Sequence, residues 1–229
     1  DHVGKTTLAV QFARAVNCKS SSAGTACGEC RSCRLIGELR HPDLHILEKE
    51  EGRTAIRIEQ VRELQYSLSL APYEAERRIA LLPDVHDATY HAWNALLKTL
   101  EEPSDRVVLL LTAPSTDMLL PTIVSRCEVI PLRPVESELI AERLLEEGHD
   151  GERIATVSRL AMGSPGMAYA FLQNGELIEQ QFSYRDDLLE WLGIGNYERL
   201  QKVENWMNWR SSFPRRQKEV SDLLNTWLA

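Results

Sequence analysis

Gly4-Lys5-Thr6-Thr7-Leu8-Ala9-Val10-Gln11-Phe12-Ala13-Arg14-Ala15-Val16 runs from a phosphate-binding signature straight into an apolar pattern of helical spacing. The signature is the second half of G-x-x-x-x-G-K-[ST]. Gly4 stands as its second glycine, Lys5 as the phosphate lysine and Thr6 as the magnesium hydroxyl, with Thr7 beside it. A helix that opens at this point aims its free amides and the positive end of its dipole at phosphate. Gly4, Lys5, Thr6 and Thr7 are therefore the candidate nucleotide-binding residues. In P-loop folds such a loop follows a buried strand. This chain begins without Met and without that strand, so its natural start is expected upstream of Asp1.

Behind this helix come Cys18, Cys27, Cys30 and Cys33, spaced C-x8-C-x2-C-x2-C. Thiolates two residues apart can turn around one ion, and four close a tetrahedron. The stretch 19–26 is small and flexible enough to fold back as a loop. A disulfide cluster or four ordinary buried thiols is the competing reading. The nucleotide-binding context favours zinc, and four thiolates with no open position make the site structural, not catalytic. Cys127 lies far away in an apolar stretch.

With 229 residues, 43% of them hydrophobic, the chain can hold one medium domain plus smaller ones. A net charge of −8 makes it a poor candidate for gripping phosphate backbones alone. The charge is compatible with an assembly in which other subunits supply the basic surface. No apolar run approaches roughly 18 residues, so no membrane span is expected. Free thiols and a P-loop point to the cytoplasm.

Strands are expected over 43–47, 78–82, 107–111 and at Val129-Ile130. Helices are expected over 31–39, 58–70 and 88–100, with a short turn at 121–126. Alternating strands and helices imply an α/β fold with a parallel, doubly wound sheet, lacking its first strand here. After Arg133-Pro134 the pattern is helical throughout. Trp191, Trp206, Trp209 and Trp227 lie at helical spacing and read as core. The expected division is a nucleotide-binding domain over 1–134 with its zinc module at 18–33, a helical domain over 135–175, and the start of a further helical domain over 176–229. His41, His45, His86 and His91 have no ligand spacing and read as structural.

The ordered set of GKTT, the four cysteines, His41-Pro42-Asp43-Leu44, Asn94-Ala95-Leu96-Leu97-Lys98-Thr99-Leu100-Glu101-Glu102-Pro103 and Ser125-Arg126-Cys127 resembles bacterial DNA polymerase III clamp-loader subunits of the AAA+ class. The match runs from Gly4 to about Gly166. Two such subunits share these motifs, gamma/tau and delta-prime. The His-Pro-Asp-Leu-His stretch, Ile58 to Leu64, and Leu110-Leu111-Thr112-Ala113 ahead of Leu120-Pro121-Thr122-Ile123 are more similar to delta-prime. The resemblance implies an AAA+ domain, a small helical lid and a helical collar, of which this chain holds a part. It also implies membership of the DNA polymerase III holoenzyme. The partners implied are gamma/tau and delta in a pentameric ring that uses ATP to open a sliding clamp and place it on primer–template DNA.

The chain departs from a working ATPase of that class. Such an enzyme ends its third buried strand with Asp-Glu, one ordering magnesium and the other polarising the attacking water. Here Pro83 and Asp84 stand in those places. Met167 follows Gly163-Ser164-Pro165-Gly166, where the family has an Arg that reaches ATP. Weak ATP binding with magnesium, without turnover, is the expectation. The alternatives are a gamma/tau-like ATPase with a divergent strand end, and a zinc-stabilised AAA+ adaptor outside replication. In this family the arginine equivalent to Arg126 points out of its own subunit and enters a neighbour's ATP site as an arginine finger. Thr112, at a strand end, reads equally as a polar sensor or as a satisfied hydroxyl.

Overall fold

Arg78-Ile79-Ala80-Leu81-Leu82 has every residue buried, and it forms the middle strand of a parallel sheet. We describe the chain from a computed structural model, in which residues 2–20, 24–195 and 197–198 are described. The chain divides into two compact units, one over Val3–Leu132 and one from Arg133 onward. In the first, strands β1 (Leu44–Ile46), β2 (Arg78–Leu82) and β3 (Val107–Leu111) lie in the order β1-β2-β3. Ile79 pairs with Leu44 on one side and with Val108 on the other.

Alternate side chains of a strand point to opposite faces, so β2 feeds two cores. Ile79 and Leu81 join Ala9 and Ala13 of α1 (Lys5–Val16), Ile36 of α2 (Arg31–Gly37) and Leu44. Ala80 and Leu82 join Val61, Leu64 and Leu68 of α3 (Ile58–Ser69), and Ala92, Trp93 and Leu96 of α4 (Tyr90–Glu101). Ile123 of α5 (Pro121–Val124) completes that layer. Each fully buried Leu or Ile contributes about 2 kcal/mol by leaving water. Helices on both faces of a parallel sheet are the expected doubly wound arrangement.

Two elements differ from expectation. Val129-Ile130 forms no strand; the two side chains are 47% and 66% exposed, and the pair makes no ladder among the described residues. A strand exists only where its amides and carbonyls find a neighbour, and an apolar dipeptide does not supply one. Helix α4 starts at Tyr90, not Ala88, because Ala88 is drawn into a bridge with Ile56 and Thr89 becomes the cap, its hydroxyl accepting from the Ala92 amide at 3.3 Å.

The end of the sheet where the strands begin is fastened by buried polar groups. Asp43, wholly buried, accepts from the amides of Tyr73 (2.7 Å), Glu74 (2.9 Å) and Ala75 (2.9 Å). Arg78 Nε lies 3.7 Å from the same carboxylate, while the guanidinium donates to the carbonyls of Ser67 (2.6 Å) and Ala71 (2.7 Å). His41 Nδ1 accepts from the Asp43 amide at 3.0 Å, and His45 Nε2 faces Arg78 at 3.1 Å, so both are structural, as expected. Asn17, just past α1, closes a two-bond ring with the backbone of Arg77.

Among its described residues the second unit is helical, as expected. It packs α6 (Ser137–Glu146), α7 (Gly151–Leu160) and α8 (Pro165–Gln173) around Ile140, Leu144, Ile154, Val157 and Phe171, with α9 (Gly175–Gly193) following. Gly163 is required there. Its φ is +77°, and a Cβ would come 2.6 Å from Pro134 Cβ and 2.8 Å from the Val135 carbonyl oxygen. Trp191 falls on α9; Trp206, Trp209 and Trp227 lie outside the described residues. Among the described residues no helix is long and apolar enough to cross a membrane.

Burial pushes the Asp43 carboxyl up, but the three amides and then Arg78 outweigh it and hold it below its usual value. Its contribution to stability is therefore present above the ordinary carboxylate range and lost as pH falls through the folded value. Burial holds His41 and His45 below the ordinary histidine value, and Arg78 lowers His45 further. Their share is lost as pH falls below about 6.5. The urea midpoint should thus decline in two stages on acidification, below about pH 6.5 and again below about pH 4. Asp43→Asn should remove the second stage and cost about 3 kcal/mol at pH 7. An unaltered midpoint in that variant would show that the fastening carries no stability.

Candidate functional site

Cys30 caps α2 from the extended region, and its sulfur accepts from the Cys33 amide at 3.4 Å. The pattern repeats along the chain: the Cys27 amide points at Cys18 Sγ (3.3 Å) and the Cys30 amide at Cys27 Sγ (3.3 Å). All four sulfurs lie within 4.8 Å of one another, and Cys27 and Cys33 Sγ are 3.9 Å apart. A tetrahedron with zinc–sulfur bonds of about 2.3 Å has edges of about 3.8 Å. A disulfide needs about 2.0 Å, and none of the four is so paired. The cluster could hold a metal ion such as zinc, and of the two readings left open by spacing alone the geometry favours metal.

The electrostatics divide the four thiols. The Cys33 amide, as the chief cause, holds the Cys30 thiol down at about 6, and the Cys27 amide lowers Cys18. Burial pushes Cys33 up to about 12. A dication at the centre would reverse that last effect, since a coordinating thiol is deprotonated outright. Four thiolates leave no open position, so the ion would contribute folding energy and no reaction chemistry. Arg14, in the last turn of α1, ties the module to the sheet unit. Its guanidinium donates to the Gly28 carbonyl (3.4 Å), and its own carbonyl faces Cys33 Sγ (3.9 Å).

At the other end of α1, Gly4 takes the left-handed conformation (φ +92°) that lets the chain turn into the helix. Its carbonyl accepts from the Leu8 amide at 2.8 Å. Thr6 and Thr7 are exposed, Lys5 is half-buried, and the first turn holds no acidic residue. Exposed amides, a lysine and two hydroxyls at a helix start can take phosphate oxygens.

At the exit of β2, Pro83 offers no carboxylate. Asp84 follows in a left-handed conformation (φ 46°, ψ 44°) and opens a tight turn over Val85–Asp87. Its amide donates to Thr112 Oγ1 at 3.2 Å, and the Val85 amide donates to the Thr112 carbonyl at 3.0 Å. The Thr112 hydroxyl oxygen thus accepts from the turn that follows β2. Met167 packs partly buried against the core of the second unit.

Arg126, just past α5, does not reach freely into solvent. Its Nε donates to Glu101 Oε1 at 2.8 Å and a terminal nitrogen donates to the same oxygen, while Nη1 donates to the Thr122 carbonyl (2.9 Å) and Ser125 Oγ (3.3 Å). The structure brings the four cysteines together and presents Gly4 to Thr7 as one turn; Arg126 bonds instead to Glu101, Thr122 and Ser125. Sequence reading missed Arg14 and Glu101 as partners. A basic residue in the last turn before a cysteine cluster was the available signal for Arg14. For Glu101, 25 residues from Arg126, there was none.

The sequence model of the family described as "DNA polymerase III, delta subunit" matches residues 1–136. The chain is 38% identical over 167 residues to DNA polymerase III subunit delta' of Pseudomonas aeruginosa, covering 71% of this chain and 50% of that protein. It is 34% identical over 167 residues to DNA polymerase III subunit tau of Escherichia coli K12, covering 72% of this chain and 26% of that protein. It is 32% identical over 144 residues to DNA polymerase III subunit delta' of Bacillus subtilis, covering 63% of this chain and 43% of that protein. The chain thus spans about half the length of the Pseudomonas relative.

Metal analysis of the full-length protein should find close to one zinc per chain, and Cys30→Ser should lose it. Chelation should lower the thermal midpoint by about 5 °C or more, with recovery on adding zinc. A metal-free protein of unchanged midpoint, with four titratable thiols, would end the metal reading.

Proposed function

The chain belongs to the DNA polymerase III delta-subunit family, and we propose that it serves as a delta-prime-type clamp-loader subunit that hydrolyses no ATP itself and supplies Arg126 to a neighbour. The observation that carries the reading is the exit of β2. An AAA+ ATPase needs two carboxylates there, one for magnesium and one to polarise water. Here a proline precedes an aspartate whose backbone is left-handed and bonded to Thr112. Part of the phosphate cradle survives at Gly4, Lys5, Thr6 and Thr7, which supports weak binding of ATP with magnesium. Residues 1–134 would form the AAA+ domain, 135–175 the lid and 176–229 part of the collar. The partners are gamma/tau and delta in a pentameric ring acting in the cytoplasm on the sliding clamp and primer–template DNA.

Arg126 follows a short helix and keeps a side-chain exposure of 33%. A cationic fork delivered to a neighbour's triphosphate stabilises transition-state charge and is worth about 10³–10⁵ in rate at the site it serves. Lys cannot replace it fully, because a point charge lacks the planar pair of donors. The gamma/tau-like alternative, an ATPase in its own right, keeps support from the tau relative at 34% identity.

The full-length protein alone should show no sustained magnesium-dependent hydrolysis of ATP. Hydrolysis that disappears in Lys5→Ala would favour the gamma/tau-like alternative. In the reconstituted assembly, Arg126→Ala should leave subunit association intact and reduce hydrolysis and clamp loading, with Arg126→Lys rescuing only in part. Full hydrolysis and loading by an intact Arg126→Ala assembly would remove the finger role and leave a scaffold.

A further inference from the structure

The Arg126 guanidinium is folded back on its own subunit. Glu101 is the last residue of α4, placed just ahead of Glu102 and the helix-ending Pro103. Its Oε1 accepts from both Nε and a terminal nitrogen of Arg126, while Nη1 is taken up by the Thr122 carbonyl and Ser125 Oγ. All three nitrogens are therefore engaged within the subunit. The Nε edge that grips a phosphate with two parallel donors is the edge that Glu101 covers. The carbonyl end of α4 adds further attraction for the cation.

We propose that Glu101 is a positioning residue that keeps Arg126 latched, charge-neutralised and withheld, until the terminal phosphate of a nucleoside triphosphate bound to a docked neighbour displaces it. The proposal rests on the trans-acting role of Arg126 given above. Arg126 is 33% and Glu101 49% exposed, so the pair is solvated and weak. Weakness suits a latch: a magnesium-bound triphosphate carries more charge than one carboxylate and outcompetes it. The Thr122 carbonyl and Ser125 hydroxyl hold the neighbouring edge but add no full countercharge, so Glu101 supplies the carboxylate part of the hold.

The test uses the full-length protein assembled with its partner subunits, in wild-type, Glu101→Gln, Arg126→Ala and doubly substituted forms, with assembly checked by size. The amide of Glu101→Gln keeps the shape and removes the charge. Without clamp and DNA it should raise kcat for ATP about two- to fivefold at unchanged KM. With clamp and primed DNA present, where a neighbour's triphosphate already holds the finger and the latch is displaced, its rate should equal wild type. The increase should vanish in the Arg126→Ala background. Glu101→Asp, which keeps the charge but shortens the reach, should give a smaller increase, and it serves as the test should Glu101→Gln not assemble. An unchanged or lowered rate in both Glu101 variants, while Arg126→Ala alone lowers hydrolysis, would overturn the latch and leave the finger standing. If Arg126→Ala itself changes nothing, the trans-acting role fails and the latch falls with it.

Discussion

Five residues with water on neither face hold the first unit together. β2 is bonded on both edges, and its alternating side chains feed separate cores. No single-residue shift of register is tolerable in such a strand, because either direction exchanges Ile79 and Leu81 for Ala80 and Leu82 across the two layers. That fixity fixes what lies at its ends. Arg78 enters the buried fastening with Asp43, and Pro83-Asp84 leaves toward Thr112. The place where an ATPase of this family would keep its carboxylates is thus among the best-determined points of the unit. There a left-handed Asp84 follows Pro83, and the Asp84 amide is held by the Thr112 hydroxyl oxygen.

Helix α1 joins two chemistries that share no atoms. Its first turn presents Gly4 to Thr7, and its last turn carries Arg14, which grips the loop of the cysteine module. A helix rises about 1.5 Å per residue, so these two ends are separated by a rigid spacer set by chain geometry. Asn17 then locks the far end of that spacer to the backbone at the start of β2. The cysteine module is in this sense an extension of the helix that carries the phosphate signature.

Much of this was legible because it depends on local pattern. β2 and β3 were readable as apolar runs between charge and proline, and they fall on the expected residues 78–82 and 107–111. The cysteine spacing brings four sulfurs within 4.8 Å of one another, a cluster that could hold an ion, without help from distant sequence. What failed was what depends on a partner. Val129-Ile130 has the composition of a strand, yet pairing is not a property of two residues. The bond from the Asp84 amide to the Thr112 hydroxyl oxygen spans 28 positions and has no local signal. Arg126 was legible as a motif residue. Its capture by Glu101 joins the ends of two helices that sequence order keeps 25 positions apart, and no periodicity reports such a meeting.

The left-handed turn at Asp84 bears on what a substitution there could achieve. Restoring an Asp-Glu pair at 83–84 is a change of few bases. The restored glutamate would inherit a backbone conformation at φ 46° that costs an L residue about 1–2 kcal/mol. Its amide would stay committed to Thr112, so its carboxylate would be aimed by a turn and not by a strand. Recovering a working geometry would mean rebuilding the exit of β2 and its bond to β3 together. On the proposed reading, gaining hydrolysis would therefore take a change of backbone as well as of side chains, a larger step than exchanging two residues.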